Sequence, residues 1–543
     1  MLKGSKEDKA NEIIRLFNQA SGRRGTWESH WQEIADRMYP LASENFQTRY
    51  TTKGNKRNDQ IYDSTAVKSL NRFGAILDSL LTPSNQTWHY LKPSIEELNK
   101  DRSVRLWFED VNRILFKHRY KTTANFAAQN QMNFKSLGAF GSGALYIDPL
   151  WGARGLRYKN CHLGEIYFME NHQGLVDKIL RVFMLTARQA IQKWGDMVPD
   201  GVKAAMEKDE GKEFEFIHMV CPRDDIDPER ADFKGMPWAS YYVLHGEGNP
   251  MLEEGGYNSF PYAVSRYEQA PNEIYGRSPA MDSLPAIKTL NEQKKTLLKQ
   301  GHRAVDPVLL VHDDGILDSF SLTPGYANAG GVNKDGRPLV HTLPVGNVNA
   351  GRDLMEDERE DIKDSFLVTL FQILTENPQM TATEVLERTK EKGILLAPTL
   401  GRIQSERLGP QVEREVDVLA QQNLLPPMPP LLLEAGAEFE VDYDSPLSRA
   451  QRAEEASGLM RTVESALAVV NATGNPEPLD HFNWDAIVPD LADINAVPVK
   501  WRKSVEEIQA IRQGRAKQQQ QEKMIQAAPS AAAVAKAVGP TSA

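Results

Sequence analysis

The apolar residues of the first 120 positions recur every three or four residues, which is the spacing of amphipathic helices. This pattern predicts helices over residues 7–20, 27–39, 64–81 and 103–118, with prolines between them. In the second segment the apolar stripe consists of Trp27, Trp31, Ile34 and Met38. We expect this stripe to pack in the core, because an apolar helix face is normally buried.

Between residues 143 and 267 the pattern changes to short apolar and β-branched runs bounded by turn residues. The runs predict strands over residues 144–147, 180–185, 214–220 and 240–244. One short helix, over residues 187–194, interrupts them. The combination indicates an α+β layer, and the whole chain is predicted to be α+β and predominantly helical.

Two long helices then bracket an insert of roughly 45 residues. Ser278 can cap the first helix, with Pro279 in its first turn and a bend expected at Pro285. The insert opens with a β-like run near residue 308 and closes near residue 343. The second helix begins at residue 352 and ends before Asn377-Pro378, because a residue that precedes proline disfavours helical conformation.

The two helices carry opposite charge. The first is basic through Lys288, Lys294, Lys295, Lys299 and Arg303. The second is acidic through Asp353, Glu356, Asp357, Glu358, Glu360, Asp361 and Asp364. Solvated helices with surface ion pairs, each worth ~0–1 kcal/mol, account for this pattern as well as side-by-side packing in a ring does. An apolar stripe in the second helix suggests that it leaves a projecting stalk and enters a larger body; the stripe consists of Ile362, Phe366, Leu370, Phe371 and Leu374.

The remaining chain is predicted to be helical. Thr381 and Glu384 have the spacing of a capping box that starts a helix running towards residue 392. Helix resumes past Pro398 and Pro410 to about residue 422, and the proline cluster at 426–430 forms a stiff connector. Further helices are expected over residues 450–471 and 505–524, followed by a low-complexity, Ala-rich tail.

Composition limits the possible classes of protein. The 543 residues suffice for three or four domains, and 41% hydrophobic with 25% charged residues is ordinary globular composition. Cys161 and Cys221 form no CxxC pair; one bridge between them is possible, but two buried thiols in a reducing compartment fit better. The charged N-terminus lacks a signal peptide's apolar stretch, and the apolar runs fall short of a membrane span. The net charge of −10 argues against a protein that grips nucleic acid tightly.

Three motifs that could carry chemistry have simpler structural explanations. The sequence has no phosphate-binding G-x-x-x-x-G-K-[ST] loop, and Gly138, Gly141 and Gly143 follow a helix and precede a strand, so they predict a tight turn. The segment 276–280 is half of a nucleophile elbow, but helix capping explains its serine. His312-Asp313-Asp314 lacks a further metal ligand at a usable spacing. No catalytic, cofactor or metal site is therefore predicted, and we expect the protein not to be an enzyme.

Four segments resemble the portal, or head-to-tail connector, family of short-tailed bacteriophages. They are residues 378–385 (PQMTATEV), 400–410 (LGRIQSERLGP), 140–147 (FGSGALYI) and 511–516 (IRQGRA). Their order and spacing extend the resemblance over nearly the whole chain, and the tail beyond about residue 526 contributes least.

The resemblance implies a ring of twelve subunits at one capsid vertex. It implies a wing (1–275), a first stem helix (276–303), a clip (304–349), a second stem helix (350–372), a tunnel loop (373–381), wing and channel helices with the Pro-rich connector (382–444), crown or barrel helices (445–526) and a flexible tail (527–543). Such a ring nucleates head assembly, docks terminase for packaging, joins head to tail and passes DNA during ejection.

The partners implied by the resemblance are further subunits, double-stranded DNA in the channel, terminase, scaffold and major capsid protein, the tail adaptor and internal core proteins, but no membrane. We expect synthesis in the host cytoplasm and a final place in the virion. Twelve copies would carry a formal charge of about −120, so the ring would not adhere to DNA as a whole. The candidate DNA-facing residues are Lys288, Lys295, Glu376, Asn377 and Gln379. The candidate docking residues of the clip are Asp313, Asp314, Tyr326, Asn333 and Arg337.

Two other classes remain as alternatives. A packaging enzyme such as the terminase would need the phosphate-binding loop that the sequence lacks. A tail or internal virion protein is structural as well, but tail fibres tend to be repetitive and β-rich, and this sequence has no internal repeat.

Overall fold

The computed structural model describes residues 5–43, 46, 54, 56–246, 248–311, 321–344, 348–369, 398–436, 438–443, 446–475, 477–494, 497, 501–503 and 507–521. The chain divides into two compact units. The first comprises Met1–Gln86 and Lys117–Leu424, and the second comprises Thr87–Phe116 and Leu425–Ala543.

The described part of the chain combines helices with antiparallel sheets, as the α+β prediction requires. The helices are α1 Lys6–Met38, α2 Thr65–Leu81, α3 Arg102–Arg119, α4 Phe126–Phe140, α5 Ala187–Trp194, α6 Asp200–Lys208, α7 Pro279–Val305, α8 Val348–Ser365, α9 Gly409–Gln421, α10 Pro430–Glu434, α11 Pro446–Thr473 and α12 Trp484–Ile494, with further helical residues at 398–403 and 507–521. The strands are β1 His89–Pro93, β2 Ser142–Pro149, β3 Leu156–Cys161, β4 Ile166–Glu170, β5 Val176–Thr186, β6 Glu213–Pro222, β7 Trp238–Leu244, β8 Met251–Tyr257, β9 Tyr262–Arg266, β10 Leu309–Val311, β11 Val340–Thr342 and β12 Phe439–Tyr443.

The first unit contains two main sheets. A five-stranded antiparallel sheet has the order β4-β5-β6-β7-β8, and a three-stranded sheet has the order β3-β2-β9. Helix α1 packs on one face of the larger sheet, with Phe17 at 5.4 Å from the Tyr167 ring. Helices α5 and α6 pack on another apolar cluster around Phe216 and Trp194. Because helices cover the apolar side chains of its strands, the larger sheet forms the core of this unit.

Helix α1 is continuous where two separate helices are predicted over residues 7–20 and 27–39. Gly22 and Gly25 weaken the intervening segment, but Arg24 lies between them and is buried. Its guanidinium donates to the carbonyls of Leu163 and Gly164 at 3.1 and 2.9 Å and covers the Tyr167 ring. These tertiary contacts stabilise the helix across the two glycines. The predicted tryptophan stripe is in the core at Trp31, Ile34 and Met38, whereas Trp27 is half-buried.

The predicted turn at the glycine cluster is confirmed. Gly141 ends α4 in the left-handed conformation, with φ of 71°, and β2 follows directly. A Cβ atom at this position would lie 2.2 Å from the carbonyl oxygen of Gly276. Two backbone segments therefore cross at a distance that only glycine permits. The hydroxyl of Ser142 fixes the crossing by accepting the N–H of Gly276 at 2.8 Å.

The second unit contains a small sheet of two strands. Strands β1 and β12 form an antiparallel pair, in which Leu91 lies opposite Val441. The side chain of Asn112 on α3 accepts the backbone N–H of Leu91 at 3.1 Å, and the indole of Trp107 donates to the carbonyl of Pro426 at 3.1 Å. The proline cluster is thus held against the first turns of α3. The predicted C-terminal helices correspond to α11 and to residues 507–521.

Cys161 and Cys221 are free and buried, as expected. None of the helices in the described ranges is both long and apolar enough to cross a membrane.

Candidate connector surfaces

The antiparallel helices α7 and α8 form a hairpin that is buried at its base. Ser278 caps α7 by accepting the N–H of Met281 at 3.2 Å, and its hydroxyl donates to the carbonyl of Ala139 at 2.9 Å. The capping prediction is therefore confirmed. The buried residues of α7 all precede residue 292; they are Pro279, Ala280, Met281, Ser283, Leu284, Ile287, Leu290 and Asn291.

Helix α8 returns to the same base. Ile362 and Phe366 are buried, and the Phe366 ring lies 5.9 Å from the Phe73 ring of α2. The second predicted helix is interrupted: α8 ends at Ser365, Leu367 has a positive φ of 60°, and residues 368–369 are helical again. Its predicted end before Asn377 lies outside the described residues. Burial of both flanking residues, Phe366 and Val368, holds the backbone in this break.

The opposite charges of the hairpin are not matched to each other. Among the described side chains, no ion pair joins α7 to α8. Instead Lys288 binds Glu33 of α1 at 2.8 Å, and Arg359 binds Asp63 at 2.8 Å. The hairpin is thus fixed to the body of the first unit by one basic residue from each helix, and most of its other charges face solvent.

The candidate DNA-facing residues occupy two different settings. Lys288 is half exposed and paired with Glu33, while Lys295 lies 3.5 Å from Glu292 and above the Tyr62 ring. The remaining candidates, Glu376, Asn377 and Gln379, lie outside the described residues, as does the Thr381–Glu384 capping box.

The insert between the helices is small and mostly exposed. Strands β10 and β11 form a short antiparallel pair, as predicted. Tyr326 and Arg337 are exposed, but the Asn333 side chain is turned inward, where it accepts the backbone N–H groups of Asp335 and Arg337 at 3.0 and 2.9 Å. Asn333 therefore shapes a turn. The candidates Asp313 and Asp314 lie outside the described residues.

The distal hairpin and the insert expose a series of large apolar side chains. These residues are Leu298, Val305, Val308, Leu310, Val311, Leu322, Tyr326, Val332, Leu343 and Leu354. Single exposed apolar residues are normal, but this segment carries many of them.

The segment 400–410 is anchored by a buried ion pair and a buried hydrogen bond that the sequence did not reveal. Residues Gln404–Leu408 form a π-helix, which lets Pro410 enter a continuing helix without a clash. Within it Glu406 accepts two N–H groups of Arg266 at 3.0 and 2.9 Å, and the buried Arg407 donates to Asn130. Burial lowers the pKa of Arg407 to about 9. These contacts fix the segment 400–410 to the body of the first unit.

No group of side chains in the described ranges gathers three His, Cys, Asp or Glu residues around a possible metal. The segment 276–280 acts as a helix cap, and its serine hydroxyl is already engaged.

Comparison with known proteins agrees with this arrangement. Residues 10–501 match the family described as bacteriophage head to tail connecting protein. The chain is 30% identical over 518 residues to a probable portal protein of Bordetella phage BPP-1, which covers 94% of this chain and 91% of that protein. It is 26% identical over 524 residues to the portal protein of Salmonella phage epsilon15, which covers 95% and 92% of the two chains.

Two solved structures show a weaker likeness. A chain from the neck of an empty gene transfer agent particle is 11% identical with a TM-score of 0.38, covering 79% of this chain and 90% of that chain. A chain from the virion of a native gene transfer agent particle is 12% identical with a TM-score of 0.36, covering 79% and 94%. At these TM-scores the likeness adds nothing to the sequence match. The match over residues 10–501 is sufficient: this chain belongs to the bacteriophage head to tail connecting protein family.

Proposed function

We propose that this chain is one subunit of a phage portal, a ring at one capsid vertex of the virion through which the genome enters and leaves. The observation that carries the proposal is the match of nearly the whole chain to proteins named portal protein, from two phages. Membership of a family of connecting proteins supports a structural rather than an enzymatic role.

The hairpin supports assembly into a ring. Its exposed apolar side chains are costly to leave in water in a monomer but suit contact between copies. A basic α7 of one subunit beside an acidic α8 of the next would be a heterologous contact, which generates a ring when the rotation closes. We propose twelve subunits, as the family resemblance implies.

We assign a role to each of the regions that the sequence predicts. The hairpin α7–α8 is the stem, the insert between its helices is the clip that docks terminase and then the tail adaptor, and residues 373–381 are the tunnel loop. The first unit's sheets and helices form the wing, which would meet scaffold and major capsid protein, and the helices after residue 445 form the crown. The net charge of −10 suits a channel through which DNA slides, because an acidic protein does not bind phosphates tightly.

Mass measurement of the purified full-length protein at physiological salt tests the ring. Twelve subunits of 61.0 kDa give a closed assembly of about 0.7 MDa, visible as a hollow ring by electron microscopy. A stable monodisperse monomer at micromolar concentration would contradict the proposal. We also expect no nucleotide hydrolysis; turnover that follows the protein peak through repurification would favour a packaging enzyme instead.

Replacing residues 304–349 with a short Gly/Ser linker tests the clip. The base of the hairpin is buried before residue 292 and again at Ile362, so the rest of the first unit should stay folded. Binding of the phage's tail adaptor should be lost. An adaptor that still binds this variant would contradict the assignment.

A further inference from the structure

A cleft of about 580 Å³ lies beside β3, the outer strand of the three-stranded sheet, and none of its lining residues belongs to the hairpin. In the register of β2 and β3, Tyr146 is opposite Lys159 and Asp148 is opposite Arg157. Alternate residues of a strand share a face, so these four side chains lie on one face of the sheet. All four line the cleft, together with Gln129 of α4 and Trp151 of the β2–β3 turn.

The polar groups of the cleft are mainly unused donors. Gln129 accepts the backbone N–H of Asn160 at 2.8 Å through its oxygen, which leaves its NH2 group available. Arg157 donates one N–H to the carbonyl of Thr123 at 2.9 Å and keeps the others. In the part of the chain that the structure describes, no acceptor contacts the Lys159 ammonium. Desolvation and the nearby Arg181 guanidinium lower the pKa of Lys159, so an anion brought to this point would be stabilised.

Trp151 stands at the rim of the cleft with 73% of its surface exposed. An indole in water costs free energy, and tryptophan is the residue type that most often anchors a protein interface. Its position beside cationic and amide donors combines an apolar platform with groups that recognise carboxylates. The volume of the cleft falls within the range of roughly 300–1,000 Å³ that is typical of ligand sites.

We propose that this cleft docks an extended acidic peptide segment of a partner protein. Carboxylates of the peptide would bind Lys159 and Arg157, its backbone N–H groups would donate to Asp148, and its apolar side chains would pack on Trp151. Duplex DNA fits less well, because its paired bases offer no free face on which the indole could stack. The inference does not depend on ring formation.

Fluorescence anisotropy with the full-length protein tests the proposal. The probe is a fluorescein-labelled ten-residue peptide in which glutamate alternates with alanine and leucine; a glutamine version and a 20-base-pair duplex serve as comparisons. We expect the glutamine peptide to bind at least ten-fold more weakly. Trp151→Ala and Lys159→Gln should each weaken binding of the glutamate peptide about ten-fold or more, while Lys159→Arg retains it.

Two control variants match the substituted residue types. Trp501→Ala removes a tryptophan that is also 73% exposed, and Lys208→Gln removes an exposed lysine of α6; neither should change binding. Absent binding of the glutamate peptide, or equal binding by the Trp151 and Trp501 variants, would overturn the proposal. Loss of duplex binding in the cleft variants would assign the cleft to nucleic acid, and a changed assembly mass for Trp151→Ala would assign it to a neighbouring subunit; both outcomes contradict the proposal.

Discussion

Arg119 and Glu415 form a fully buried ion pair that joins the end of α3 to α9. The guanidinium Nε lies 3.1 and 3.0 Å from the two carboxylate oxygens, and neither side chain has any exposed surface. Tyr158 and Gln411 each donate to the same carboxylate at 2.8 Å, so the buried acceptor has several partners. This network binds the helix that follows the 400–410 segment to the body of the first unit.

Glu415→Gln should destabilise the protein by about 3–5 kcal/mol, because it leaves the Arg119 charge buried without its counter-ion. Glu12→Gln is the matched control: its partner Arg15 is 59% exposed, and such surface pairs are worth about 0–1 kcal/mol. Urea unfolding of both variants measures the difference. Equal midpoints for the two variants would show that the buried pair contributes no more than the exposed pair.

Gly141→Ala should be much more destabilising than Gly152→Ala. Both glycines have positive φ, 71° and 72°, so both substitutions incur backbone strain of roughly 1 kcal/mol. Only at Gly141 would the new Cβ also meet a backbone carbonyl, that of Gly276, at 2.2 Å; nothing lies within 4 Å at Gly152. Thermal denaturation of the two variants isolates the cost of the clash. Equal melting temperatures would mean that the crossing relaxes freely.

The stability of the first unit should fall in mild acid because of His218. Burial, with Lys193 and Arg181 nearby, lowers the pKa of His218 well below its usual range. The imidazole therefore stays neutral in the folded protein, whereas in the unfolded chain it takes up a proton near pH 6.5. Its contribution is therefore complete above about pH 6.5 and decreases below it, by up to about 1.4 kcal/mol per pH unit. Urea midpoints between pH 8 and 5.5 should fall less steeply in His218→Gln. The exposed control His172→Gln should follow the wild type, and an unchanged slope in His218→Gln would refute the prediction.

Substituting Asn377 and Gln379 with lysine should increase affinity for duplex DNA if the predicted tunnel loop faces the channel. Each new phosphate contact adds up to about 0.9 to the slope of log affinity against log salt concentration. Gln173→Lys with Gln192→Lys supplies the same charge at exposed positions elsewhere in the first unit. Packaging or ejection should be hindered only by the loop variant, with ring assembly intact. Normal packaging and ejection would place the loop away from DNA.

Strands that contain an apolar run could be predicted from the sequence. Strands that depend on contacts with neighbouring elements could not. β6 contains Phe214 to Val220, a mostly apolar run interrupted by Glu215 and His218 that predicts a strand. β8 contains Glu253, Glu254, Gly255 and Gly256, residues that are depleted in strands. It forms because β7 pairs with it and because Lys9 and Trp194 bind its two glutamates at 2.8 Å. A pattern along the chain cannot show such tertiary contacts.

The sequence also predicted only part of the candidate site: the helices of the hairpin, but not the residues that bind them. Charge and capping patterns located the two hairpin helices, since those signals are local in sequence. Their partners Glu33 and Asp63 lie more than two hundred positions earlier in the sequence, so no spacing rule finds them. The family motif at 400–410 marks this segment in the sequence. The contacts that hold the segment involve Arg266 and Asn130, which lie outside the motif.

The continuous helix α1 connects the larger sheet to the hairpin. A 33-residue helix is about 50 Å long, and this one is fixed near one end by Lys9 to Glu254 of the larger sheet and near the other by Glu33 to Lys288 of the hairpin. The contacts of Arg24 with the carbonyls of Leu163 and Gly164 stabilise the helix between Gly22 and Gly25. The helix would therefore transmit force without bending at its middle. A force on the hairpin would therefore reach Glu254 on β8, the edge strand of the larger sheet.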